Sequence, residues 1–133
     1  MSSQFVIQMH NRPGALAELA SALAANGVDI VNIAGGGLGD VGYAILTTGD
    51  ATKTRVVLRD SGHHFAEGHP LIVEVEDRPG ELATVTERLA SAGINIDGVV
   101  LVGRSATTVE IALTVDDAEH ARRVLGLDPA LPV

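Results

Sequence analysis

Cysteine is absent from this chain, which excludes disulfides, thiolate nucleophiles and Cys-ligated zinc or iron–sulfur sites. Aromatic residues are nearly absent too: Phe5, Tyr43 and Phe65 stand alone, too few for base stacking. Positive charge is scarce, with nine Lys and Arg against seventeen Asp and Glu and a formal charge of −8, which opposes binding to a phosphate backbone. Nucleic acid is therefore not an expected partner. No apolar run approaches the ~18 residues of a membrane span, and MSSQFVIQ has neither the basic start nor the apolar core of a signal peptide, so no membrane association and a cytoplasmic location are expected. What remains is a globular composition, 46% apolar with dispersed acids.

Within that composition the chain repeats itself. A shift of 66 positions lays residues 5–33 over residues 71–99 and returns Arg12, Pro13, Gly14, Leu16, Ala17, Leu23, Ala24, Gly27 and Ile30 in the second copy. Two units follow, 1–68 and 69–133, each near the lower size limit for burying a core alone. Sheet faces left uncovered by such small units predict self-association, most simply as a homodimer.

Each copy reads strand, helix, strand, strand, helix. Phe5, Ile7 and Met9 alternate with Val6, Gln8 and His10, and Leu71, Val73 and Val75 alternate with Ile72, Glu74 and Glu76. A helix is expected from Pro13, with Leu16, Leu19, Ala20 and Leu23 as its apolar stripe and Leu82, Val85, Thr86 and Leu89 as the copy. Gly27 and Gly93 mark left-handed C-terminal caps, and β-rich VDIVNI and INIDGVVLV follow. Asp50 opens a second helix through about Leu58; Asp116 with Glu119 forms a capping box for its counterpart through Leu125. SGHHFAEGHP has room for a short closing strand, and in the second copy only DPALPV remains for one. The expected class is α+β: two tandem ferredoxin-like βαββαβ repeats, antiparallel sheets side by side with helices on one face.

The best-preserved part is a loop, NRPGAL and DRPGEL, and loops on a rigid scaffold carry function. Backbone N–H groups of Gly14, Ala15 and Leu16 at a positive helix end make a seat for a carboxylate, and Asn11 or Asp77 just before it can accept hydrogen bonds from an ammonium group. Carboxylate and ammonium together describe an amino acid. A turn that needs only its shape would use the same proline and glycine, and stands as the alternative.

At these residues the two copies resemble ACT domains, small regulatory modules of β-α-β-β-α-β order with an N/D-x-P-G-x-L loop after the first strand and a G-[VI]-[ND]-I segment opening the second. The motif reads Asn11-Arg12-Pro13-Gly14-Ala15-Leu16 with Gly27-Val28-Asp29-Ile30, then Asp77-Arg78-Pro79-Gly80-Glu81-Leu82 with Gly93-Ile94-Asn95-Ile96. The resemblance implies a tandem ACT protein that senses free amino acids without a catalytic domain. In related regulatory domains, such as that of phosphoglycerate dehydrogenase, paired modules form a continuous sheet and hold the ligand between the loop of one and the second-strand Asn of the other. Carried over, one site joins Asn11, Gly14, Ala15 and Leu16 to Asn95 and Ile96, and the pseudo-symmetric one joins Asp77, Gly80, Glu81 and Leu82 to Asp29 and Ile30. The charges of Asp77, Glu81 and Asp29 oppose a ligand carboxylate, so the first site is expected to be the tighter. Serine-sensing relatives place a histidine where Met9 stands, a departure that argues against serine.

Other signals are weaker. Gly37-Leu38-Gly39-Asp40-Val41-Gly42 fits G-x-G-x-x-G but precedes YAILTT, a strand, and reads as a β-hairpin and not a dinucleotide loop. His63, His64 and His69 lack a completing donor set and read as solvated, as does His120. Ser105, Thr107 and Thr108 have no evident base, so neither catalysis nor a cofactor is expected. Three readings remain: an amino-acid-binding regulatory module; a regulatory subunit or assembly adaptor of an amino-acid biosynthetic enzyme with vestigial sites; and a metal-responsive protein using the junction histidines.

Overall fold

The computed structural model describes residues 3–127, which fall into two compact units, the first ending at Gly68 and the second beginning at His69. The first unit runs β1 (Gln4–His10), α1 (Ala15–Ala25), β2 (Ile30–Leu38), β3 (Val41–Thr48), α2 (Ala51–Asp60) and β4 (His64–Gly68). Its sheet has the order β2-β3-β1-β4, antiparallel throughout: α1 carries the chain to the edge strand β2, the β2–β3 hairpin brings β3 beside β1, and α2 returns β4 to the other side of β1. In register, Phe5 faces Leu46 and Ile7 faces Ala44, and these side chains meet Leu19, Leu23, Val28, Val57 and Leu58 under the helices. Phe65, on the short closing strand, sets its ring 6.0 Å from that of Phe5.

The second unit runs β5 (Leu71–Glu76), α3 (Glu81–Ser91), β6 (Ile96–Arg104), β7 (Thr108–Val115) and α4 (Ala118–Leu125), with the sheet order β5-β7-β6. Leu71, Val73, Val109, Ile111 and Leu113 meet Val85, Leu89, Ile94 and Ala121 in its core. The short last strand considered for DPALPV lies outside the described residues. Each unit is α+β and ferredoxin-like, an antiparallel sheet with its two helices packed on one face. Among the described residues no helix is long and apolar enough to cross a membrane.

Three local expectations need correction. The first helix does not open at Pro13. Gly14 has φ 90° and ψ −14°, values of the third position of a type II turn, and the Ala15 N–H closes that turn on the Arg12 carbonyl at 3.2 Å. Pro13 presets the second position, only glycine takes the third without strain, and the helix begins at Ala15; Gly80, with φ 92°, repeats the device before Glu81. Second, Leu16 and Leu82 leave the core stripe. They are about half exposed, because they sit in the overhanging first turn while Leu19, Leu23, Val85 and Leu89 are buried.

The third correction concerns α4, which is capped by Asp117, whose carboxylate accepts from the His120 N–H at 3.1 Å. Asp116 is engaged elsewhere. Its carboxylate accepts from the Asn95 N–H at 3.0 Å and its own N–H donates to the Asn95 carbonyl at 3.1 Å, pinning the start of β6. The other expected helix ends hold: Asp50 accepts from the Lys53 N–H at 2.9 Å, and Gly27 and Gly93, with φ 70° and 74°, carry the Schellman bonds from Val28 to Leu23 and from Ile94 to Leu89.

Candidate functional site

In the first unit the loop from Asn11 to Leu16 is fixed from two sides. The Asn11 N–H donates to the Asp40 carbonyl at 2.9 Å and its side-chain Nδ2 to the Gly39 carbonyl at 2.9 Å, which ties the loop to the β2–β3 hairpin. On the other side the type II turn removes the Ala15 N–H from the donors expected at the helix end. Among the described residues the N–H groups of Gly14 and Leu16 have no such partner. Arg12 does not stand free as a cation: its guanidinium pairs with Glu18 at 2.9 Å and donates to the Pro13 carbonyl at 3.3 Å.

Beside this loop is a cavity of about 500 Å³, whose lining includes Met9, Asn11, Arg12, Ala15, Leu16, Ile33, Ala44 and the run Gly35-Gly36-Gly37. The glycines create the space: Gly35 is required by the backbone beside it, and Gly37 leaves the room that the Asn11 side chain occupies. A Cβ at Gly35 would come 2.9 Å from the Tyr43 carbonyl oxygen, and one at Gly37 would come 2.6 Å from the Asn11 amide. An apolar hollow beside a neutral amide and backbone donors suits a small molecule with a polar head and an apolar body. Of its lining, Gly35, Gly36, Ile33, Ala44 and Tyr43 were not among the sequence candidates. The signal was three consecutive glycines inside a strand, where glycine marks a close approach.

The second loop differs in charge. Asp77 repeats the backbone tie, its N–H donating to the Thr107 carbonyl at 2.9 Å, but its carboxylate is ion-paired with Arg104. Glu81, the first helical residue of α3, pairs with Arg78, which also holds Glu76 at 2.8 Å. The hydrogen bond that Arg78 donates to Glu81, with the charges of Glu76 and Glu81, raises the Arg78 pKa above its ordinary value. The expected surplus of negative charge is thus largely compensated inside the unit for Asp77 and Glu81.

The remaining candidates lie elsewhere on the same sheets. Ile30 pairs with Thr48, at the end of the sheet opposite to His10 and the Asn11 loop, and Asp29 precedes it, its carbonyl accepting from the Gly49 N–H at 2.9 Å. In the second unit Ile96 pairs with Val115 while Glu76, next to the Asp77 loop, pairs with Thr108 at the other end. Asn95 turns its side-chain amide onto Asp97 at 2.9 Å. Each unit therefore gathers Asn11 with Gly14, Ala15 and Leu16, or Asp77 with Gly80, Glu81 and Leu82, and separates them from its own second-strand pair. The G-x-G-x-x-G stretch is a hairpin with Leu38 opposite Val41, as its place before a strand required. Among the described residues no group of three or more His, Asp and Glu is placed to hold a metal ion.

Comparison with known proteins gives a family and a fold. The family model described as ACT domain matches residues 3–60 and again 71–126. No curated protein matches the chain. Among solved structures, protein BT0572 from Bacteroides thetaiotaomicron is 19% identical with a TM-score of 0.71, the match covering 94% of this chain and 86% of that one. The regulatory subunit of aspartate kinase from Thermus thermophilus, in its ligand-free form, is 21% identical with a TM-score of 0.63, covering 94% and 88%. The corresponding subunit from Thermus flavus is 22% identical with the same TM-score and coverage. At these identities the likeness is one of fold.

Proposed function

This chain belongs to the ACT domain family, and we propose that it is a non-catalytic regulatory protein that binds a free amino acid where two ACT repeats meet. The observation that carries the reading is the Asn11–Leu16 loop: backbone donors and a neutral amide acceptor, beside an apolar cavity. The α-carboxylate would take the open N–H groups of Gly14 and Leu16 at the start of α1, where the helix end is positive. The α-ammonium would take the Asn11 Oδ1, and the side chain would enter the hollow beneath Leu16. On this reading Asn95 and Ile96 would complete the site from a second repeat, and Asp29 and Ile30 would serve the pseudo-symmetric one. Filling the site would shift the protein between assembly states, most simply of a homodimer, because a ligand moves an equilibrium only by its differential affinity for the two states.

A thermal-shift panel of the twenty amino acids tests this. One or a few should raise the melting temperature, since a ligand at a hundred times its dissociation constant adds about 2.7 kcal/mol, and a flat panel on folded protein overturns the reading. A second reading is supported by the Thermus structures, which are regulatory subunits of aspartate kinase and which this chain matches over most of both lengths. On that reading the chain is a subunit of an amino-acid biosynthetic enzyme, and a large enzyme chain should co-purify with it from its source.

A further inference from the structure

Two copies of one loop would suggest two ligands, but the second copy already contains the groups a ligand would bring. We propose that each chain binds one amino acid, at the Asn11–Leu16 loop, and that Glu81, Arg104 and Leu101 close the counterpart at Asp77–Leu82. This rests on the amino-acid-binding reading above.

Three paired positions set the two loops apart. At the first helical residue, where a ligand carboxylate would be drawn by the helix end, the first repeat has Ala15 and the second has Glu81. The chain's own carboxylate thus stands in the first turn of α3, held by Arg78, and repels another. At the loop acceptor, where a ligand ammonium would bind, Asp77 instead carries the guanidinium of Arg104, from the position that Leu38 holds in the first repeat. Both partners of that pair are about half exposed, so it contributes little to stability; its consequence is that a tethered cation competes at all times with a dissolved one.

The third position is one of volume. Gly35 lies opposite Ala44 and leaves the helix-covered face open beside the loop, whereas Leu101 lies opposite Ile111 and puts a side chain on the same face. A bulge between Leu101 and Gly103, which β2 lacks at its own Gly35 to Gly37, shifts the end of β6 and brings Arg104 opposite Val109. Carboxylate, cation and apolar side chain are all supplied from within.

Titration calorimetry with the amino acids that shift the melting temperature tests this, on the full chain. Wild type should bind one per chain, and Asn11→Ala should weaken that binding at least tenfold while the protein stays folded. The triple variant Glu81→Ala, Leu101→Gly, Arg104→Leu, which restores the residues of the first repeat, should bind two. Two per chain in wild type, or binding that survives Asn11→Ala unchanged, overturns the proposal and leaves the sensor reading intact. A folded triple variant that still binds one shows that these residues do not close the site. No binding by any amino acid to either protein removes the sensor reading, and the proposal with it. If the triple variant unfolds, the double variant Glu81→Ala, Arg104→Leu, which removes only exposed ion pairs, should gain detectable second-site binding, and a folded double variant that gains none overturns the closing role of these side chains.

Discussion

The side-chain amide of Asn11 lies against the backbone of Gly37, so close that a single added methyl group at Gly37 would stand 2.6 Å from it, while its Nδ2 donates to the Gly39 carbonyl at 2.9 Å. Residues separated by more than twenty positions thus form one unit: the strand must lack a side chain for the loop amide to reach the hairpin. The Asn11 Oδ1 is left as an acceptor in a fixed direction, and the apolar hollow lies beside it.

That relationship makes Gly37→Ala and Gly36→Ala an informative pair. At Gly37 the exposed Asn11 side chain must move and lose its bond, for an expected cost of about 0.5–1.5 kcal/mol. At Gly36 a Cβ meets nothing within 4 Å, and the change should fall within about 0.5 kcal/mol of wild type. Denaturant melts of the two variants check this; equal effects would mean that the loop and strand are not locked together.

Gly14→Ala probes the turn in the same way. With φ at 90°, the residue lies where an L side chain is strained, so the type II turn must distort or carry a penalty of about 1–2 kcal/mol. Chemical denaturation should show that loss, and the turn that positions the Leu16 N–H should loosen with it. A stability equal to wild type would remove the geometric reason for glycine at this position.

The difference between what could and could not be read from the sequence follows from the range of the forces involved. The Gly27 and Gly93 caps and the Asp50 cap act over at most a few neighbouring residues, and the sequence shows such neighbours directly. Leu16 misled because helical periodicity does not distinguish a stripe over the sheet from a first turn that overhangs its edge. The choice between Asp116 and Asp117 was decided by Asn95, twenty-one residues from Asp116, and the pair of Asp77 with Arg104 spans twenty-seven. Such contacts depend on strand register, and the bulge after Leu101 that helps to set it has no local signature in LVGR.

The cap at α4 allows that distinction to be measured. Asp117→Ala removes the acceptor of the His120 N–H and should destabilise by about 1 kcal/mol, the ordinary worth of an N-cap. Asp116→Ala should instead free the start of β6, because it removes the acceptor of the Asn95 N–H. Amide hydrogen exchange separates the two: faster exchange at His120 is expected for the first and at Asn95 for the second. The reverse assignment would restore the Asp116 capping box.

Asn95 and Asp29 occupy the same place in the two repeats and differ in what they can offer a ligand. Asn95 spends its Nδ2 on Asp97 at 2.9 Å and keeps its Oδ1 as a neutral acceptor, while its backbone is held by Asp116, whose carboxylate accepts from the Asn95 N–H and whose N–H donates to the Asn95 carbonyl. Asp29 offers a full negative charge. If the ligand sits at the Asn11 loop and is completed by the second repeat, Asn95→Ala should cost it one hydrogen bond, about 0.5–1.5 kcal/mol or a severalfold loss of affinity. Asp29→Ala should change affinity by less, since its own counterpart loop is the one closed by Glu81 and Arg104. Both side chains are exposed, so neither substitution should lower the melting temperature of the free protein appreciably. Calorimetry on the two variants reads the difference; equal or reversed losses would mean that the second-strand asparagine does not complete the site.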